Sequence, residues 1–268
     1  MTGQPRPKIN PVQSLHLNAH SSQNMNPRQL ILGALAALFL ASCSTTQQID
    51  SKTNTVLNGM SDKLAAAKTL RVKVTRQSSP GFNAGMVVAE SANGSVVVQR
   101  PGRLSAQMKT SEGARTIGFD GSNLTVVDHA AGTHAVVKAP GDIDNAVRSI
   151  QRIYGLTPPV GELLSNHPRA LLLEGVKTAK HTGTESINGV ECDRLAFQQD
   201  GLSWQLWVAT GDKLPRRISF AYPNGEGGAP LTMTATITKW ELDTPVSDED
   251  LTVKPPSGSR LLEMIPLK

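Results

Sequence analysis

Residues 231–240 read Leu-Thr-Met-Thr-Ala-Thr-Ile-Thr-Lys-Trp, and the first eight alternate apolar with polar side chains. A period of two places Leu231, Met233, Ala235 and Ile237 on one face of a β-strand and the threonines on the other. An antiparallel sheet with one face on the core and the other in water produces this pattern. The run therefore predicts a long strand in a mainly antiparallel sheet.

Weaker alternation continues outward from this run towards the N-terminus. Shorter strands are predicted at 70–75, 85–91, 95–100, 103–110, 115–119, 123–127 and 134–138, and a second group of strands fills 171–240. The turns predicted from sequence are Asn93-Gly94, Pro101-Gly102, Glu112-Gly113, Asp120-Gly121, Ala131-Gly132 and Asn188-Gly189. Short strands separated by such turns are typical of an antiparallel meander.

Helical periodicity occurs in three places, at residues 49–69, 142–154 and 160–165. Each segment is apolar on one face, and such a face has to be buried against another element. The sheet also has one apolar face to cover. We therefore predict an α+β, mainly β fold, in which one domain at 49–268 forms a curved antiparallel half barrel with a helical lid.

An apolar run at 30–41 lies directly before Cys43, with Arg28 ahead of it and a polar stretch behind it. The run is shorter than the roughly 20 residues that span a bilayer, and its length is typical of a signal peptide. The layout resembles a bacterial lipoprotein signal. The resemblance implies a signal region at 1–42, with the true signal at 25–42, cleavage before Cys43, lipid such as palmitate on Cys43, and a tether at 43–48. Because Ser44 is not Asp, the resemblance also implies anchoring at the periplasmic face of the outer membrane.

Charge and cysteine content limit the remaining possibilities. Loss of residues 1–42 removes three basic residues and no acidic ones, so the formal charge falls from +5 to +2. No basic stripe is visible, so we expect no nucleic-acid partner. We also expect a monomer. The lone Cys192 is predicted to be a buried, inert thiol in a strand, with a reactive or pairing thiol as the alternative.

Motifs for catalysis are absent from the sequence. It contains no Gly-x-Ser-x-Gly, His-Glu-x-x-His, Cys-x-x-Cys, phosphate loop or dinucleotide fingerprint. His129 and His134 flank a turn and could face each other across a hairpin, but no third metal ligand is evident. We therefore predict a protein that is not an enzyme and has no cofactor or metal site.

Several stretches together resemble a known family, at 100–104, 119–124, 153–155, 189–197, 204–207 and 214–217. The chain resembles a family of predicted periplasmic proteins, domain of unknown function 2092, and more distantly the lipoprotein carriers LolA and LolB. The resemblance to the carriers implies a half barrel whose apolar interior holds acyl chains. LolB is itself lipid-anchored and touches the membrane with an apolar loop residue.

Two functions are compatible with these features. The first is a lipid-anchored lipoprotein that binds lipid or lipoprotein acyl chains in its cavity. The second is an envelope sensor or protein-interaction module with the same fold. The predicted cavity residues are Leu104, Met108, Trp204, Leu206, Phe220, Tyr222, Met233 and Ile237. Trp207 should face away from Trp204, because their positions differ by an odd number. Phe82 is a candidate membrane-touching tip, and the alternative is that its ring folds back onto the sheet.

Overall fold

The computed structural model describes residues 47–80, 82, 91–154, 160–225 and 227–263. The helices are α1 (Ser51–Ala66), α2 (Ile143–Tyr154), α3 (Gly161–Leu164), α4 (Pro168–Leu172) and α5 (Asp248–Leu251). The strands are β1 (Gln48–Ile49), β2 (Thr69–Ser78), β3 (Ser91–Gln99), β4 (Arg103–Thr110), β5 (Gly113–Phe119), β6 (Asn123–Asp128), β7 (Thr133–Lys138), β8 (Thr178–Ile187), β9 (Val190–Gln199), β10 (Leu202–Ala209), β11 (Pro215–Asn224), β12 (Gly228–Leu242) and β13 (Arg260–Leu261).

All described strands belong to one sheet, in the order β1-β8-β9-β10-β11-β12-β2-β3-β4-β5-β6-β7-β13. Neighbouring strands are antiparallel throughout, except at the two margins, where β1 pairs with β8 and β13 with β7 in parallel. The sheet is open and curved, and its apolar face shares one core with α1 and the short helices. The predicted α+β, mainly β class and the half barrel are therefore confirmed.

The predicted turn at Asn93-Gly94 is wrong. Both residues lie inside β3, where Asn93 pairs with Lys109 and Gly94 with Met108. An Asn-Gly pair favours a hairpin locally, but here β3 hydrogen-bonds to a strand on each side, and sheet formation outweighs the local preference. A Cβ atom at Gly94 would lie 3.0 Å from Cγ1 of Val74, so the glycine permits close approach of the neighbouring strand.

Two other boundaries differ from the prediction, and one predicted strand is largely untested. Residues 168–172 form α4, so the second group of strands begins at Thr178. The tether is shorter than predicted, because Gln48 already pairs with Thr178 in β1. The strand predicted at 85–91 lies outside the described residues except for its last position, which begins β3. The turn at Asn188-Gly189 is confirmed, since both residues have a positive φ, as a tight hairpin requires.

The lid is fixed to the sheet at both ends of α1. Asp50 caps the first turn by accepting a hydrogen bond from the Thr53 amide at 2.7 Å. Val56, Leu57, Met60 and Leu64 are its buried apolar residues, and they join the core of the sheet.

At the other end of α1, the half-buried guanidinium of Arg100 connects the lid to the turn between β3 and β4. It donates to the carbonyl oxygens of Leu64 and Ala67 near the end of α1, and to those of Leu164 and Ser165 near the end of α3. Burial lowers the pKa of Arg100, but an arginine stays charged at any physiological pH. One side chain therefore donates to carbonyl groups at two helix ends, where the regular intrahelical hydrogen bonds stop.

Candidate functional site

The eight predicted cavity residues all lie on the lid-facing side of the sheet, but they differ in burial. Trp204, Leu206, Phe220, Met233 and Ile237 are buried within the main core. Leu104 and Tyr222 are half-buried against that core. Met108 is also half-buried and pairs with Arg115 of the next strand. The structure thus divides the predicted set into core residues and partly accessible ones.

Aromatic rings fill the concave face along β9, β10 and β11. The ring of Trp204 stacks on Phe197, with ring centroids 3.7 Å apart and planes inclined by 4°. Phe220 follows on the next strand, at 6.2 Å from Trp204. Trp207 lies on the opposite face, as predicted, in a small cluster with Ile187, Cys192 and Ala209. Three large rings in a row close this part of the face by filling it.

A second part of the concave face is apolar without being closed. We call it the concave patch, and it consists of the half-buried residues Val74, Ala106, Met108, Ile117 and Val126. Ala106 pairs across the strands with Ile117, and Ile117 pairs with Val126, so these three side chains form a continuous row on β4, β5 and β6. Gly94, between Val74 and Met108, adds no side chain.

Met108 is the only member of this patch among the cavity residues predicted from sequence. The spacing of residues along the strands would have identified the others. Ala106 lies two residues from both Leu104 and Met108 on the same strand, and therefore on the same face. Ile117 and Val126 then follow from the register of the neighbouring strands, and that register becomes known only once the strands are paired.

Charged side chains border the patch on the same face. Arg115, the cross-strand neighbour of Met108, forms an ion pair with Asp128 at 2.8 Å. A hydrogen bond from the Ala131 amide, followed by the bond from Arg115, holds the pKa of Asp128 below its ordinary value. Arg76 is 4% exposed on β2, and burial first, then the charge of Arg115, lowers its pKa. The concave patch is therefore bordered at one end by charged side chains.

The outer face of the same strands carries a groove of about 730 Å³ under the C-terminal segment. We call residues 245–261 the strap, because they cross this face from β12 to β7. Ion pairs hold the strap at Arg71–Asp250, 2.8 Å, and at Arg103–Asp248, 2.6 Å. None of the predicted cavity residues lines this groove.

The two histidines of the hairpin have separate partners. Nε2 of His129 is 2.8 Å from Oγ1 of Thr116, and Nδ1 of His134 is 2.8 Å from Oγ of Ser259 in the strap. Within the described ranges, no three His, Cys, Asp or Glu side chains are grouped as metal ligands would be. The histidines thus connect neighbouring segments.

Phe82 is placed inward, which corrects the expectation of an exposed tip. Its side chain is 7% exposed, and its ring lies 5.6 Å from that of Tyr222 at an angle of 48°. The amide of Phe82 donates to the carbonyl of Ser79, which turns the chain back towards the sheet. The observed position matches the alternative in which the ring folds back onto the sheet. Burial of the ring is favourable because it removes apolar surface from water.

Cys43, the predicted lipidation site, lies outside the described residues, and its modification stays a prediction. Among the described helices, none combines the length and the hydrophobicity that a membrane span requires. Cys192 is fully buried on β9, and burial raises the pKa of its thiol. Its Sγ lies 3.4 Å from the carbonyl oxygen of Val190.

Comparison with solved structures gives several similar folds. An uncharacterised conserved protein of Thermus thermophilus is 9% identical, with 79% of this chain and 98% of that chain covered and a TM-score of 0.49. Lipoprotein LppX of Mycobacterium tuberculosis is 16% identical, with coverages of 72% and 98% and a TM-score of 0.43. A putative outer membrane lipoprotein-sorting protein domain of Vibrio parahaemolyticus is 10% identical, with coverages of 74% and 96% and a TM-score of 0.34.

Among curated proteins, none is significantly similar to this chain in sequence. A family model, in contrast, matches residues 53–265, which include the lid, the concave face and the strap. The chain therefore belongs to the family of predicted periplasmic proteins known as domain of unknown function 2092.

Proposed function

We propose that the protein is a lipoprotein, anchored through Cys43 to the periplasmic face of the bacterial outer membrane, which binds an apolar ligand without catalysis. The ligand class is a lipid or the acyl chains of a lipoprotein. The concave patch is the observation that carries this proposal. It is a row of aliphatic side chains that the lid leaves partly accessible, on the same face of the sheet as a closed core along β9, β10 and β11.

The energetics of such a site are those of hydrophobic transfer. Each methylene group that leaves water contributes about 0.8 kcal/mol, so an acyl chain gains affinity from length and needs no specific polar contact. Ala106, Ile117 and Val126 offer only aliphatic surface, which suits a hydrocarbon chain. Met108 belongs to the same patch, and Leu104 and Tyr222 lie on the same face and would complete the site. The buried members of the predicted set would then shape its floor.

The test compares two neighbouring residues on opposite faces of β4. Ala106→Glu introduces a charge into the concave patch, whereas Gln107→Glu adds the same charge to the exposed outer face. The full-length protein is extracted in mild detergent and measured by native mass spectrometry. We expect wild type and Gln107→Glu to carry a non-covalent lipid that denaturation releases, and Ala106→Glu to lose it. Equal lipid in all three proteins would contradict the proposal.

The anchor is tested separately. Cys43→Ala should stay unprocessed and take up no palmitate analogue, because the thiol that receives the lipid is absent. Normal labelling of this variant would exclude Cys43 as the lipidation site. The outcome is independent of the concave patch, so the anchor and the ligand site can fail separately.

A protein-interaction module is the second candidate, and one observation favours it. Val136, Leu261 and Leu262 are the large apolar side chains that are exposed among the described residues, and they lie together at the margin formed by β7 and β13. Native spectra that show a stable protein partner and no lipid would favour this second function.

A further inference from the structure

The first described residues are fixed to one margin of the sheet. Nε2 of Gln47 donates to the carbonyl of Leu173 at 2.7 Å. The amide of Gln48 donates to Lys177, and that of Asp50 to Ala179, at 2.9 and 3.1 Å. The chain therefore runs along β8 from Gln47 onward, and the strand pairing continues directly into the cap of α1.

Side chains strengthen this attachment. The carboxylate of Asp50 accepts from the amides of Thr53 and His181 at 2.7 and 2.6 Å. Nε2 of His181 is 2.8 Å from the buried carboxylate of Asp193, and Nζ of Lys52 is 3.5 Å from the same oxygen. Detaching β1 would break the cap of the lid helix as well as the strand pairing. The attachment is therefore part of the folded domain.

Covalent geometry then limits the distance to the anchor. Four residue steps separate Cys43 from Gln47, and a fully extended chain covers at most about 3.5 Å a step, so the reach is about 14 Å. We propose that the margin formed by β1 and β8, here called the anchor margin, lies against the lipid headgroups of the membrane that holds Cys43. This inference rests on the lipid anchor of the proposed function.

The chemistry of the anchor margin suits a headgroup layer. Lys52 and Lys180 are exposed there, and Lys177 pairs with Asp200 at 2.5 Å. The exposed large apolar residues of the described chain are all at the opposite margin of the sheet, beside β13. The anchor margin thus presents polar side chains that need not enter hydrocarbon, and the lipid supplies the affinity.

Fluorescence quenching tests the orientation. Lys180→Cys places a dye at the anchor margin, and Val136→Cys places the same dye at the opposite margin. The native Cys192 is fully buried, so the dye is directed to the introduced cysteine. The lipidated full-length protein is bound to vesicles of phosphatidylethanolamine and phosphatidylglycerol that contain a lipid with a nitroxide on its headgroup. We expect several-fold stronger quenching at position 180 than at position 136.

A tether variant supplies the control. Ten Gly and Ser residues inserted after Thr46 lengthen the reach without changing the domain, so the difference between the two positions should largely disappear. Equal quenching with the native tether, or stronger quenching at position 136, would overturn the orientation and leave the anchor intact. A protein that does not bind the vesicles at all would overturn the anchor, and the orientation with it.

Discussion

The two halves of the concave face share one sheet and one alternating pattern, yet their apolar side chains differ in burial. On β9, β10 and β11, Leu195, Leu206 and Ile218 have no exposed surface. On β4, β5 and β6, the corresponding Ala106, Ile117 and Val126 remain half-buried. The first half has the aromatic row and lies beside α1, which contacts β8. The position of the lid therefore decides which apolar residues are closed within the core and which stay partly accessible.

The outer faces of the two halves differ as well. Outside β8 to β10, Trp207 covers Cys192, and its indole donates to Glu185 at 2.9 Å. Outside β5, the strap provides the cover, and Val253 lies directly over Gly118. One half is therefore covered by its own side chains and the other by a distant part of the chain.

The largest expected effect comes from a matched pair of leucines on the concave face. Leu206→Ala should lower the free energy of unfolding by about 3–5 kcal/mol, because it leaves a cavity in a closed core. Leu104→Ala removes the same atoms from a half-exposed site and should cost roughly 1–2 kcal/mol. Urea unfolding of both variants measures the difference. Equal losses would mean that the two halves are equally packed.

The next largest loss of stability is expected where the strap packs against β5. Gly118→Val would place a Cβ atom 2.6 Å from Cβ of Val253, so the strap has to move, at a cost of about 1–3 kcal/mol. Ser105→Val on the paired position of β4 is the control and should change stability much less. Thermal unfolding compares them, and faster proteolysis of the C-terminal segment in Gly118→Val alone would show that the strap has been displaced. Identical behaviour of the two variants would argue against a close contact at Val253.

A smaller effect is expected at Asp50, which caps the lid helix over the packed half. Asp50→Ala should cost about 1 kcal/mol at neutral pH. Burial acts to raise the pKa of Asp50, but hydrogen bonds from Thr53 and His181 outweigh it and hold the pKa below its ordinary value. The stability it adds is therefore complete above the unfolded pKa of about 3.9 and lost as the pH falls below it.

The measurement is the difference in unfolding free energy between wild type and Asp50→Ala from pH 7 to pH 2.5. Asp50→Asn serves as the control, because the amide oxygen can still cap the helix but carries no titrating charge. We expect its stability relative to Asp50→Ala to stay constant with pH. A wild-type advantage that grows at low pH would contradict the assignment.

The smallest effect concerns the rate at which Cys192 is labelled, and it involves no change in stability. Cys192 should react slowly with a maleimide in the native protein and rapidly in denaturant, because burial excludes the reagent and raises the pKa of the thiol. Fast native labelling would show that the outer cluster of the packed half opens.

Local sequence pattern was sufficient to predict strands and turns where one strand face met water and the turn was short. It predicted β4 at its exact bounds, the hairpin at Asn188-Gly189 and the opposite orientations of Trp204 and Trp207. It failed at Asn93-Gly94, because pairing with two neighbouring strands outweighs a local turn preference. It gave no indication of the strap, whose contacts join Asp250 to Arg71 across most of the sequence.

The class of fold and the identity of the apolar face follow from local sequence pattern, because a period of two depends only on neighbouring residues. Which of those apolar residues are core and which form the concave patch depends on the tertiary structure. Residues of both kinds are apolar and alternate with polar residues in the same way. Their exposure depends on where α1 and the aromatic row lie, and that is set by strand register and by contacts such as those of Arg100, which join residues far apart in the chain.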